Sequence, residues 1–139
     1  MAAPAVLFPW SDEYSVKIAV VDSQHKKLLS LTNDLHAAMT AGRGRAQLGQ
    51  VLTGLLDYTR AHFAAEEGLM QSNGYEGYFS HKREHERLTD RIQAYQDKVL
   101  SGEVGLSIEV MSFLKDWLIK HILGWDKKYA PFLNAKGVF

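Results

Sequence analysis

Apolar residues recur at alternating three- and four-residue spacing along four stretches of the chain, the pattern of one buried helical face. The first stripe is Val21, His25, Leu28, Thr32, Leu35 and Met39, with Asp22 as its N-cap and Gly42 and Gly44 as its stop. The second runs through Leu48, Leu52, Leu55, Thr59, His62, Glu66 and Leu69, keeps its spacing across Gly54, and ends at Ser72, Asn73 and Gly74. The third joins Tyr78, His81, His85, Leu88, Ile92, Tyr95 and Val99 and closes at Ser101 and Gly102. The fourth opens on Ser107 as a cap and follows Met111, Leu114, Leu118, His121 and Trp125, with Pro131 limiting its continuation. The spacing predicts helices over 22–41, 45–71, 77–101 and 107–129. Before them lies an extended arm, 1–21, marked by Pro4 and Pro9, whose Phe8, Trp10 and Tyr14 can pack along a neighbouring surface; after them comes a short C-terminal tail. No strand-period alternation and no internal repeat interrupts the scheme. Four amphipathic helices joined by short polar loops most simply form an all-α fold, an antiparallel up-down-up-down four-helix bundle, here one domain over 1–139.

Composition narrows the chemistry. The chain has 139 residues, 46% apolar and 23% charged, which suits one compact domain and argues against a disordered or low-complexity protein. Sixteen basic residues balance sixteen acidic ones, so no basic field favours nucleic acid or an anionic membrane. No apolar run approaches the ~20 residues of a membrane span, and no basic residue precedes Lys17 as a secretory signal requires. The expectation is a cytoplasmic monomer without membrane insertion. Cysteine is absent, which excludes thiolate zinc sites, cysteine-ligated iron–sulfur clusters and a cysteine nucleophile together. A metal here must use nitrogen and oxygen.

The seams should be apolar, yet they carry His25, His62, Glu66, His81, His85 and His121. A buried carboxylate or imidazole needs a partner, and depth along the bundle shows where partners lie. His25 falls near the start of its helix, His62 and Glu66 toward the end of theirs, His81 and His85 near a start, His121 and Asp126 toward an end. In an antiparallel bundle these four places are one end. Each i,i+4 pair is separated by about 40° on one helical face and can reach a common axis. His121 and Asp126, five apart, diverge by about 140° on an ideal helix, so a local π-type widening or a reach from the flank is required. A lone H-x-x-x-E is ordinarily a surface pair, and i,i+4 histidines alone are only a common chelating arrangement; five histidines and two carboxylates converging from four helices are a different matter. His36 is the internal control. It lies nearly on the face of His25 but about 16 Å farther along, where a core or boundary histidine with a hydrogen-bond partner is expected. Tyr58, Tyr75, Tyr78 and Tyr95 read as packing residues, and Lys26, Lys27, Glu67, Lys82, Arg83 and Glu86 as solvated charges facing away.

Seven side chains exceed a closed tetrahedral zinc site, and imidazole-rich nitrogen and oxygen ligation suits iron among other transition metals. Two ions are the natural count. With Glu66 and Asp126 each bridging and one solvent-derived oxygen also bridging, each ion receives three oxygen donors. Five histidines then divide three to two, and the second ion keeps an open position for a small ligand.

The segment Trp10, Tyr14, Val16, Asp22, Gln24 and His25, followed by H-x-x-x-E at His62–Glu66, H-x-x-x-H at His81–His85 and H-x-x-x-x-D at His121–Asp126, closely resembles the hemerythrins, above all the bacterial single-domain ones. The match spans about residues 10 to 130 and includes all seven ligand positions. The resemblance implies two iron ions, cycling between Fe2+ and Fe3+ with an oxo or hydroxo bridge, that bind O2 reversibly for transport, storage or delivery. It implies His81, His85 and His121 on the saturated iron and His25 and His62 on the open one. Phe63, Trp117, Leu118 and Ile122 match apolar positions of that family's O2 pocket. Lys17 stands where the bacterial pattern often has glycine. Leu114, one heptad before His121 and about 10 Å farther from the bundle end, is placed to line an inner route to the open iron. If binding shifts one proton from bridge to ligand, the cluster's total charge is unchanged and an apolar pocket need not solvate a new charge.

Two rivals share the same residues. A di-iron oxidase or peroxidase needs a proton donor beside bound oxygen, and the ligand-adjacent residues are apolar, with no further seam carboxylate. An O2 or redox sensor needs a partner that reads the state, and the chain has no room for an appended output domain. Iron storage needs a large enclosed volume rather than one discrete site. The expectation is therefore a non-enzymatic carrier with O2 as ligand and an oxygen-consuming protein as acceptor.

Overall fold

The computed structural model describes residues 8–42, 45–102 and 108–139, with the side chains of 45–46 and 108–110 set aside. Helix α1 spans Ala19–Thr40, α2 Arg45–Ser72, α3 Tyr78–Ser101 and α4 Ile108–Lys120; a π-helical stretch, His121–Asp126, leads into α5, Lys127–Ala135. The first four helices form a ring in which α1 packs on α2 and α4, and α3 on α2 and α4. With short connections between consecutive members this is the antiparallel four-helix bundle, all-helical apart from turns among the described residues. The predicted stripes are its inner faces. Val21, Leu28, Leu35, Leu52, Leu55, Leu88, Ile92, Val99, Met111, Leu114 and Leu118 are all buried. Met39, Leu48, Leu69, Tyr78 and Tyr95 lie at the boundary, half-buried. Gly74 and Gly102 end α2 and α3 with φ of 71° and 79°, a left-handed conformation that costs a glycine nothing. Pro4, the stop at Gly44 and the cap at Ser107 lie outside the described residues. No described helix is long and apolar enough to cross a membrane.

The arm is tied down rather than loose. Phe8 is buried in the main core, and its backbone N–H and C=O exchange hydrogen bonds with the Asn33 side chain at 2.9 and 3.0 Å. Trp10 packs edge-on against Tyr14 and lies under the Lys26 ammonium. Val16 and Ile18 join Val21, Met70, Tyr129, Ala130 and Leu133 in a second apolar cluster that closes one end of the bundle.

Two helix boundaries differ from the sequence reading, each for a physical reason. Asp22 does not cap α1, which has already begun at Ala19. Its carboxylate instead accepts from Ser15 Oγ at 2.5 Å and from the Val16 N–H at 2.9 Å, pinning the turn through Lys17, whose φ of 57° is left-handed. Pro131 does not stop the last helix, which runs on to Ala135. The proline sits on the exposed side while Tyr129, Ala130 and Leu133 beside it are buried, so packing outweighs the one lost backbone hydrogen bond.

Candidate metal centre

All seven predicted side chains are buried at one end of the bundle: His25, Glu66 and Asp126 at 0%, His62 and His81 at 1%, His85 at 2% and His121 at 3% relative exposure. They come from α1, the C-terminal part of α2, the N-terminal part of α3 and the π-helical stretch. That stretch supplies the widening that the five-residue spacing requires. The Lys127 N–H bonds to the Ile122 carbonyl, five residues back, so His121 and Asp126 both turn inward and Trp125, the predicted seam residue, is left half-buried.

The oxygens of each carboxylate are divided between two groups of histidines. Glu66 Oε1 lies 2.5 Å from His62 Nε2 and 3.2 Å from His25 Nε2, whereas its Oε2 lies 3.4 Å from His85 Nε2 and 3.7 Å from His81 Nε2. Asp126 Oδ2 lies 2.9 Å from His25 Nε2, whereas its Oδ1 lies 3.1 Å from His81 Nε2 and 3.2 Å from His121 Nε2. Within the three-histidine group, Nε2 of His121 is 3.1 Å from that of His85 and 3.4 Å from that of His81. Two donors bound at right angles to one transition-metal ion, each at about 2.1 Å, stand about 3 Å apart. These spacings fit that arrangement.

Hydrogen-bond chemistry alone does not account for them. The His62 Nδ1–H donates to Gln24 Oε1 at 2.6 Å and the His85 Nδ1–H to Glu67 Oε2 at 2.9 Å, which leaves both Nε2 atoms as bare lone pairs when the rings are neutral. The Nε2 lone pair of His62 then faces a carboxylate oxygen with no proton between them, an arrangement a cation resolves. Glu66 Oε2 and both oxygens of Asp126 are buried without a hydrogen bond. Burial raises the pKa of Glu66, as does neighbouring Asp126, but His62 and His25 hold its carboxyl below the usual range; Asp126, against His121, His25 and His81, is likewise held well below it. Burial disfavours the imidazolium of His25, but the adjoining Asp126 and Glu66 raise its pKa to about 9. Burial opposes the His121 imidazolium too, but Asp126 and Glu66 raise its pKa as well, so protons on these imidazoles are the stand-in for the positive charge that two ionised carboxylates in a dry site demand. The donor set fits transition-metal ions in two groups: Glu66, His81, His85, His121 and Asp126 for one, and His25, His62, Glu66 and Asp126 for the other.

The predicted pocket residues Phe63, Leu114, Trp117, Leu118 and Ile122 are all buried in one apolar cluster beside the histidines. Phe63 is central. Its ring stacks on His85 at 3.7 Å between centroids and lies 5.9 Å from His62, 5.5 Å from His121 and 6.0 Å from Trp117. His36 is half-buried and absent from the cluster, and its ring has no hydrogen-bond partner among the described residues, contrary to the expectation of one. Lys26, Lys27, Arg83 and Glu86 are exposed as expected.

Three residues near the cluster make contacts that local spacing does not show. Glu67 reads from sequence as a solvated charge, but its side chain is 19% exposed and accepts from a cluster histidine. Its signal was the Glu66–Glu67 doublet, with the second carboxylate displaced about 100° toward α3. Gln24 adjoins His25 in sequence but serves His62, a contact between helices that local spacing cannot show. Tyr129 is fully buried with an unpartnered hydroxyl, and its ring lies 5.5 Å from that of His81. Burial, Asp126 and Glu66 push its phenol well above its ordinary pKa, so it remains neutral.

Fold and cluster together define a four-helix-bundle protein whose core at one end is a histidine–carboxylate centre able to hold metal ions. Comparison with known proteins gives the family: residues 16–133 match the hemerythrin HHE cation binding domain, and the chain belongs to that family. It is 39% identical to a bacteriohemerythrin of Stenotrophomonas maltophilia (strain R551-3) across 93% of this chain and 83% of that one. It is 35% identical to the bacteriohemerythrin of Methylococcus capsulatus across 93% and 98% of the two chains. A crystal structure of wild-type hemerythrin superposes with a TM-score of 0.84 at 36% identity, covering 91% of this chain and 98% of that one.

Proposed function

We propose that this chain binds O2 reversibly at a pair of iron ions, in the service of oxygen transport, storage or delivery. The observation that carries the reading is the division of each buried carboxylate between a three-histidine and a two-histidine group, which suits two ions bridged by Glu66 and Asp126. His81, His85 and His121 would hold one ion and His25 and His62 the other, which, with fewer side-chain donors, would be the one to take the ligand. The iron pair, when bound, supplies the electrons that oxygen takes up on binding and returns on release.

Everything else falls to the chain. Glu67 and Gln24 fix the tautomers of His85 and His62 so that Nε2 of each faces inward. Phe63, Leu114, Trp117, Leu118 and Ile122 form an apolar wall that would keep water and its protons away from the ligand position. That wall supports a carrier rather than an oxidase, and the nearest further carboxylate, Glu67, already accepts the Nδ1 proton of His85 and so has none to give. Membership of the hemerythrin family and relatives named bacteriohemerythrin support the same reading.

The test is repeated oxygenation and deoxygenation of the anaerobic ferrous protein without added reductant, followed by its optical spectrum. Full return to the starting spectrum over several cycles is expected. Ferric protein and hydrogen peroxide in stoichiometric yield after the first cycle would overturn the carrier reading in favour of an oxidase. Trp117→Gln is expected to hasten conversion to the ferric form more than it weakens the first binding.

A further inference from the structure

The two histidine groups differ in what stands behind them. In the three-histidine group, His85 donates its Nδ1 proton to the Glu67 carboxylate at 2.9 Å, whereas Nδ1 of His81 and of His121 is buried without a partner. In the two-histidine group, His62 donates to the neutral amide oxygen of Gln24 at 2.6 Å, and Nδ1 of His25 has no partner. Each group therefore has one backed histidine, but only one of the two backings carries charge.

A carboxylate acceptor draws the Nδ1 proton toward itself more strongly than an amide and leaves more electron density at Nε2. His85 is thereby the stronger donor and His62 the weaker, over and above the difference in ligand number. Glu67 can do this because it sits half-buried where α2 meets α3, in a groove whose wall includes His85 and Phe63. Phe63 stacks on the same imidazole with the two ring planes 3° apart, which fixes its plane.

We infer that Glu67 is a positioning residue which, through His85, makes the three-histidine group the tighter of the two positions for a divalent transition-metal ion, while the neutral Gln24 leaves the two-histidine position the weaker. This rests on the two-ion reading above. A tightly held ion beside a loosely held one means that the chain fills in a fixed order, and that metal loss begins at the two-histidine position.

The experiment is anaerobic titration of the metal-free chain with Fe2+ by calorimetry, with the thermal midpoint of each metal-free variant measured in parallel. The natural chain is expected to take up two equivalents of unequal affinity. Glu67→Gln keeps an acceptor for Nδ1 but removes its charge, and should weaken the tighter equivalent by about tenfold, with Glu67→Ala toward the hundredfold end of the usual range. The weaker equivalent should stay within twofold. Gln24→Glu should tighten the weaker equivalent instead. Metal-free thermal midpoints should stay close to that of the natural chain for Glu67→Gln, which separates tuning from a structural role. A Glu67→Gln chain with both affinities unchanged overturns this inference and leaves the two-ion reading standing, whereas a natural chain that takes up one equivalent overturns both.

Discussion

At the end of the bundle away from the histidines, the buried Gln96 is paired within the protein: its amide donates to Thr53 Oγ1 and accepts from Gln93, and Thr53 donates to the Gly49 carbonyl. At the histidine end, among the described residues, nine buried side-chain atoms have no hydrogen-bond partner, and four of them, His62 Nε2, Glu66 Oε2 and both Asp126 oxygens, face the point on which the Nε2 atoms of the other histidines converge. Helices α1, α2 and α3 run through both ends with the same spacing, and at the histidine end α4 gives way to the π-helical stretch. The difference teaches that polarity in a core is not itself the mark of a site. Polar atoms that satisfy one another specify packing, whereas polar atoms that face a common point and satisfy nothing specify a ligand.

The strongest way to break this contrast is to truncate each end in turn. Leu52→Ala, in the fully packed half, is expected to cost about 2–5 kcal/mol of stability while leaving the metal content of the folded chain intact. His62→Leu acts on the other end. It abolishes metal binding at the two-histidine position, and the metal-free chain is also expected to lose stability, because Glu66 loses a group that holds its carboxyl ionised and Gln24 loses its donor. Denaturant unfolding of the metal-free proteins, together with metal analysis, reads both effects. Loss of metal from Leu52→Ala, or two ions retained by His62→Leu, would erase the distinction between the ends.

How far the contrast could be read from sequence depends on the interaction. The stripes fix the four helices because burial of one face every 3.6 residues is a local, periodic constraint, and the end-to-end depth of His25, His62, His81 and His121 follows once the helices alternate in direction. The five-residue step from His121 to Asp126 likewise carried its own demand for a wider turn. Gln24 with His62 and Glu67 with His85 were not legible, because which side chain on one helix meets which on the next depends on the rotation of each about its axis. The continuation through Pro131 was hidden for a related reason, since a propensity argument cannot see the burial of Tyr129 and Leu133 around it.

A smaller effect sharpens the electrostatic half of the comparison. His25 in the folded metal-free chain has its pKa raised from 6.5 to about 9, so its contribution to stability is full below pH 6.5 and is lost as pH rises through 9. The lowered pKa values of Glu66 and Asp126 act oppositely, with stability present above their ordinary range near pH 4 and lost as pH falls through their folded values. Metal-free protein should accordingly be most stable between about pH 4 and 6.5 and decline toward pH 9. Thermal midpoints across that range check it. A flat profile from pH 6.5 to 9, with a matching flat profile for His25→Leu, would contradict the assignment of the proton to His25.

The smallest effect separates the cluster from the turn beside it. Lys17 is held at a positive φ by Asp22 and by the Asn134 side chain, which donates to the Lys17 carbonyl at 3.1 Å. Lys17→Gly should relieve that strain and stabilise the chain by roughly 0.5–1 kcal/mol without altering metal uptake. A change in metal affinity would show that the turn and the cluster are one unit.

The most direct test of the account is to count ions and protons together when the metal-free chain is loaded with Fe2+ under nitrogen at neutral pH. Two ions per chain, taken up with release of protons, are expected, because iron must displace the positive charge held on the cluster's imidazoles beside Glu66 and Asp126. One ion per chain, or two ions taken up without proton release, would contradict the claim that the histidines and carboxylates at this end of the bundle form a centre for two metal ions.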